Sequence, residues 1–310
     1  MTEQTETNNT AQLPIKPEDF NRFNDVFFKF LFAKEKRKHL MIDLLNSIFD
    51  DRRPVCIKGH ITDISFGNVE LNVEHKDEKI GFLDIKVTTD KGEIIDVEVQ
   101  TYTEPDIGER NLFYFAKLYA GQKNKGLEYK DFKPVIVVNL LSFIIFHDRE
   151  RYHSSYSVRE DELNDLLTDK LSIQFIEAPK CNKGKVKVLN RLGRWIQYLT
   201  FSDPSEIKDF AKKDKVFADV LEAEKMFRSN PEDMDAYLSE ENAKFRFENI
   251  LKGKFEEGRA EGLEEGRAEG RAEGQTETTS EIARRMLKAG LSVDLIKQTT
   301  FLSDAEIAAL

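Results

Sequence analysis

The chain has 310 residues, 40% hydrophobic and 10% aromatic, which is length for about two domains and apolar content for a packed core. Lys and Arg number 47 against 57 Asp and Glu, a formal net charge of -10 that excludes a strongly basic nucleic-acid coat. Any contact with nucleic acid therefore has to be local. Cys56 and Cys181 form no repeating spacing, which excludes a disulfide framework or paired-cysteine zinc site and makes a reducing, cytoplasmic setting the simplest expectation.

Residues 1–17 are polar, rich in Thr, Asn and Gln, and lack an apolar segment of signal-peptide type; they are expected to be a disordered lead. From Asp19 to Asp50 apolar residues recur at three and four (Phe20, Phe23, Phe27, Phe30, Leu31, then Leu40, Leu44, Leu45, Ile48), predicting two helices separated by the charged stretch Lys34 to Lys38. Short β-like runs follow at Cys56 to Glu74, Gly81 to Thr88 and Glu93 to Gln100, then an aromatic-rich helix from Asp106 to Gly121. The longest apolar run, Val135 to Phe146, is too short to cross a bilayer as a helix and reads as a buried strand, so no membrane association is expected. This order of elements points to an α/β domain. Residues 151–252 read as mostly helical, with one more strand at Leu171 to Ile176.

Five glycines in strict step of four, Gly258, Gly262, Gly266, Gly270 and Gly274, punctuate a repeat of Glu, Arg and Ala. Each glycine costs a helix about 1 kcal/mol against alanine, so 253–275 is expected to be an acidic linker or a weak helix whose glycine seam lets a second helix approach. Residues 276–310 read as short helices, with Gly290 as a break and Ser292 and Ser303 as N-caps. Balanced charges there favour an interaction or dimerisation unit, and hence a homo-oligomer through the repeat and terminal helices, over a helix that reads a DNA groove.

The segment that carries chemistry is Phe82 to Gln100. It parses as strand, Asp90-Lys91-Gly92, strand, and a three-residue loop ending in glycine predicts a type I turn closed by a left-handed bulge glycine. Thr89 then faces Glu93, Lys86 faces Asp96 and Asp84 faces Glu98. Alternation puts Asp84, Lys86, Asp96, Glu98 and Gln100 on one face and Leu83, Ile85, Val87, Ile95, Val97 and Val99 on the other. Facing carboxylates lie about 5 Å apart at Cβ and repel, so a positive group belongs between Asp84 and Glu98: a hard divalent cation or Lys86. A solvent-facing edge hairpin carrying charges for solubility is the competing reading.

The pattern Asp84, Glu98, Gln100 resembles the PD-(D/E)XK nuclease superfamily, in which an acid on one strand precedes an acid and usually a lysine two residues apart on the next. More closely, the chain resembles the bacterial PD-(D/E)XK family transposases, or recombination-promoting nucleases. The likeness runs from Asn24-Asp25-Val26-Phe27-Phe28-Lys29 through Val97-Glu98-Val99-Gln100, Glu109-Arg110 and Tyr119-Ala120-Gly121-Gln122 to Gly126-Leu127-Glu128-Tyr129. It implies a restriction-endonuclease-like core, a central mixed sheet flanked by helices, over 18–150, completed by 151–252 and followed by a mostly helical C-terminal region. It also implies metal-dependent cleavage of DNA, with Asp84 and Glu98, joined by the carbonyl of Val99, holding Mg2+ (or Mn2+ or Ca2+). Gln100 stands where lysine is usual and has donors but no charge. Lys86, on the same face, is then expected to supply the catalytic charge, with Asp25, Lys29 and Arg110 reaching the DNA. A module that keeps the fold for DNA binding or oligomerisation without cleaving is the competing function.

Overall fold

A computed structural model describes residues 15–16, 19–68, 83–103, 105–123, 126–183, 190–200 and 204–310. Most of the expected N-terminal lead, and the part of the expected strand run from 69 to 82, lie outside the described residues.

The phenylalanine-rich segment after Asn24 forms helix α1 (Asp25–Phe32). A single 3-10 turn through the charged stretch leads into α2 (Lys38–Asp51). Six strands then build one sheet: β1 (Ile64–Phe66), β2 (Ile85–Thr89), β3 (Ile94–Gln100), β4 (Val135–Leu141), β5 (His153–Tyr156) and β6 (Leu171–Glu177), in the order β1-β2-β3-β4-β6-β5. The centre, β3-β4-β6, is parallel and both flanks are antiparallel. Parallel neighbours need a crossover, and α3 (Ile107–Ala120) supplies the one between β3 and β4. Every residue of β4 and β6 is buried, as expected of central strands covered on both faces.

One face of the sheet packs Ile85, Val87, Ile95, Val97, Ile136 and Val138 against α1, α2, α4 (Ala178–Lys183), α5 (Arg191–Thr200), α6 (Pro204–Ala211) and α7 (Lys215–Ser229). The other lies beneath α3, where Leu83, Leu118 and Val135 form one cluster and Ile107, Val137, Leu141 and Ile173 another. Two expectations change here. Leu83 joins the α3 side instead of the face of Ile85 and Val87, because the chain bends at Asp84 before β2 begins. The stretch after 150 also carries two strands where one was expected, since His153 to Tyr156 is too short and polar to announce itself as β5.

Phe20 to Asn24, ahead of α1, is tied to elements two hundred residues away. Arg22 is buried and donates twice to the buried Glu224 of α7, at 2.8 and 2.9 Å; Tyr198 of α5 donates to the same carboxylate at 3.0 Å and lies under the guanidinium. Tyr237 and Glu241, in the first part of α8 (Pro231–Lys288), bond to Asn21 and Asn24. The compact unit holding the sheet accordingly runs to Glu241.

The second unit is Asn242–Leu310. The expected linker at 253–275 is helical throughout, part of the 58-residue α8. Its Ala, Glu and Arg are strong helix formers that offset the glycines, and ion pairs such as Lys254 with Glu257 and Arg285 with Glu281 run along the helix. The first of the expected terminal helices is the end of α8. Gly290, at a φ of 75°, turns the chain into α9 (Val293–Thr300), and Ser303 caps α10 (Asp304–Ala308) reciprocally with Glu306. Ala283, Ile296 and Ile307 form its small core. No helix among the described residues is long and apolar enough to cross a membrane.

Removing one partner of the Arg22–Glu224 pair strands a buried charge, which costs about 3–5 kcal/mol. Arg22→Met is expected to lower the unfolding free energy measured in urea by that amount, and adding Glu224→Leu should recover much of it. Equal stability of Arg22→Met and wild type would show that the pair does not anchor α1.

Candidate active site

The β2–β3 hairpin has the register that the turn chemistry predicts: Lys86 faces Asp96, Ile85 faces Val97, and Gly92 sits at a φ of 90°. Continued by one pair, the ladder would bring Asp84 opposite Glu98. The ladder stops there and side chains take over. The Asp84 N–H donates to Glu98 Oε1 at 3.1 Å, and the Val99 N–H donates to Asp84 Oδ2 at 2.8 Å. Each acid thus fixes the other strand's backbone.

Asp84 remains partly open, and its cation comes from α1. Lys29 Nζ lies 3.5 Å from Asp84 Oδ1 and donates to Asp25 Oδ2 at 2.9 Å. Burial pulls the Lys29 ammonium down, but the bond to Asp25 and the charge of Asp84 outweigh it and hold its pKa above the ordinary lysine value. The helix is aimed by its N-terminus: Asn24 caps Phe27, and Glu240 of α8 accepts from the N–H groups of Asp25 and Val26 at 3.2 and 3.0 Å. Burial raises the pKa of Asp84, and the neighbouring charge of Asp25 adds to it; the Val99 N–H and Lys29 oppose the rise.

Beneath α3 lie Asp96 and Glu98, both buried. Burial first, then the charge of Asp84, pushes Glu98 up to about 8. Asp96 rises well above the usual carboxylate range through burial and then the charge of Glu98. The two carboxyls lie within hydrogen-bonding reach of each other, while among the described residues no nitrogen or hydroxyl donor reaches either Asp96 oxygen. Arg110 of α3 acts on both acids as the compensating charge, and its guanidinium stands 5.9 Å from the Tyr114 ring. Burial and the charge of Glu98 move the Tyr114 hydroxyl up to about 12.

The structure therefore brings Asp84, Glu98, Lys29, Asp25 and Arg110 together, with Gln100 two residues beyond Glu98 on the same strand face and buried. Lys86 departs from expectation. It faces Asp96 in register, yet its side chain runs along Gly67 at the β1 edge, and among the described residues it makes no ion pair with Asp84, Asp96 or Glu98. The ammonium at Asp84 is that of Lys29. Arg110, expected at DNA, faces the acid pair. Of the basic stretch after α1, Arg37 is buried, donating to the carbonyls of Leu31 and Phe30, and Lys38 pairs with Asp63 at 2.6 Å. The solubility reading of the hairpin fails because its polar face is covered by α3.

Sequence reasoning left Asp96 out of the site although it stood on the polar face, and missed Asn139. Asn139 faces Glu98 across β3 and β4, is buried, and donates to Asn111 Oδ1 at 2.6 Å and the Gln174 carbonyl at 3.1 Å. A polar residue inside the apolar run VIVVNLL was its signal.

Carboxylates and an amide oxygen are hard donors of the kind that suit a divalent cation, and two Asp96 oxygens orphaned in the interior fit one too. Among the described residues no three His, Cys, Asp or Glu side chains are yet gathered as a cation cage. Acids from two adjacent strands at the broken end of a hairpin, on a mixed sheet flanked by helices, define a nuclease-type α/β fold. The family model for PD-(D/E)XK nuclease family transposases matches residues 22–253, and the chain belongs to that family. The C-terminal HTH domain of the Rpn/YhgA-like nuclease family matches residues 276–310, which favours the helix-turn-helix reading of that segment over the interaction unit. No curated protein and no solved structure matches the chain.

A carboxyl that keeps its proton in the folded chain, but would lose it when unfolded, makes the folded state the greater proton binder. Stability then falls as pH rises from the ordinary glutamate value, 4.5, to about 8. In EDTA the melting temperature is expected to decline across this range, by up to about 1.4 kcal/mol of stability per pH unit for one such group. Glu98→Gln should flatten the profile. A profile identical to wild type in that variant would remove Glu98 as the titrating group.

Proposed function

We propose that this protein is a divalent-cation-dependent DNA endonuclease of the transposase or recombination-promoting type. The observation that carries the reading is the reciprocal clasp of Asp84 and Glu98, in a chain of a nuclease family, with a lysine ammonium 3.5 Å from Asp84. Asp84 and Glu98 would hold Mg2+, with Mn2+ or Ca2+ as substitutes. When bound, such a cation supplies Lewis-acid stabilisation of the phosphoryl oxygens and an acidified water.

The chain's own groups do the rest. Lys29, aimed by α1, takes the role first assigned to Lys86 and faces the scissile phosphate; Asp25 holds it there. Gln100 donates neutral hydrogen bonds where a lysine is usual, and Arg110 limits repulsion between the acids until the cation arrives. The helix-turn-helix segment, 276–310, would bring the enzyme to DNA, which a formal charge of -10 makes a local matter. The glycine seam of α8, with open space at every position where a Cβ would project, is the face we assign to a second copy of the chain. Two free, buried cysteines accord with work in a reducing cytoplasm.

Plasmid nicking by the purified chain with Mg2+, Mn2+ or Ca2+ tests the reading. Asp84→Ala and Glu98→Ala are expected to lose at least about a hundredfold in rate, the scale of removing a principal charge-stabilising group. Lys29→Ala should lose activity while Lys86→Ala keeps it. Absence of cleavage by the folded wild type under every cation would turn the reading to a DNA-binding or oligomerising module without catalysis.

A further inference from the structure

The interior beneath α3 holds more acceptors than donors. Among the described residues no nitrogen or hydroxyl donor reaches either carboxyl oxygen of Asp96 or the Oδ1 of Asn139, all of them buried; the group within reach of Asp96 is the Glu98 carboxyl, and the Asn139 amide nitrogen is used twice. Asp96 and Asn139 are each 0% exposed and lie on the face of the sheet that carries Glu98. Asp96 precedes Glu98 by two residues on β3, and Asn139 is its neighbour on β4. Unsatisfied buried acceptors are rare in folded proteins and call for an ion or a water. Three of them flanking one acid, with Arg110 the cationic side chain that acts on the carboxyls, are what a further cation would satisfy.

We propose that Asp96 is a third carboxylate of the cation centre, with Asn139 Oδ1 as its neutral companion, so that the centre extends inward from Asp84 and Glu98 beneath α3. The proposal rests on the reading of Asp84 and Glu98 as cation-holding residues and adds residues that the two-acid motif does not contain. It assigns the ligand class as a small hard divalent cation, Mg2+ or Mn2+, since all the donors are oxygens. It also gives the acid pair Asp96–Glu98 a purpose. The folded chain keeps two neighbouring buried carboxyls that gain little for stability and become favourable when a cation lies between them.

The test is Mn2+ binding to the full-length chain by isothermal titration calorimetry and by loss of the free Mn2+ electron paramagnetic resonance signal, with melting curves in EDTA alongside. Asp96→Asn keeps the shape and removes the charge; Asp96→Ser is a second variant in case the first packs badly. Wild type is expected to bind. Both Asp96 variants should bind at least about tenfold more weakly, the loss typical of removing a group that supports a metal centre, while melting in EDTA at or above the wild-type temperature. Mn2+ affinity unchanged in Asp96→Asn, with Glu98→Gln weakened, would overturn the role of Asp96 and leave the two-acid reading standing. A wild type that binds no Mn2+ would overturn both. Weak binding accompanied by a lower EDTA melting temperature in both Asp96 variants would count as structural damage and against the proposal.

Discussion

Everything at the site follows from one exchange of hydrogen bonds: Asp84 donates through its backbone to Glu98, and Val99 donates through its backbone to Asp84. Two like-charged side chains placed across a strand pair would normally push the strands apart. Here each carboxyl replaces a lost ladder partner with a bond from the other strand's backbone. The break in pairing and the acid pair therefore stabilise each other, and the chain is free to bend at Asp84. That bend carries Leu83 to the α3 side and leaves the Asp84 carboxylate reachable from α1.

What α1 delivers depends on residues far along the chain. Its ammonium, Lys29, is placed by a helix whose start is held by Arg22 on Glu224, by Asn24, and by Glu240 at the free N–H groups. Glu224, Glu240 and Glu241 come from the helical stretch after the last strand. A domain ending near residue 150 would lack β5, β6 and these anchors. The helical region is thus part of the apparatus that aims Lys29, consistent with a family match that continues to residue 253.

Much of this was legible in the sequence wherever a local rule acts alone. The Asp90-Lys91-Gly92 loop dictates its own turn, the turn dictates the register, and the register puts Lys86 opposite Asp96. The two N-terminal helices and the α3 boundaries follow from periodicity and end signals in the same way. Reasoning by strand parity failed at Asp84, because parity assumes that the strand continues and side-chain bonds ended it. The Lys86 side chain lies away from the acids for a related reason: facing position fixes the Cα, while a long flexible side chain goes where space and charge direct it, here along Gly67. Lys29 could not be ranked above it, since its placement rests on contacts more than two hundred residues apart in sequence. The glycine repeat left a linker and a weak helix both open, and the strong helix formers between the glycines decide for the helix.

The buried acid pair shows how the fold balances stability against function. On the proposed reading, a permanent lysine between Asp96 and Glu98 would close the place that a cation takes. Burial raises the proton affinity of both Asp96 and Glu98, with Arg110 at their edge and Lys29 at the outer acid, Asp84. The helix-covered face of β3 is therefore polar where the opposite face is wholly apolar, and the cost of that polarity is spread over a rigid sheet and over anchors such as Arg22 and Glu224. Costly burial at the acids and strong fixation away from them go together, because only a well-held frame can keep two carboxyls buried at close quarters.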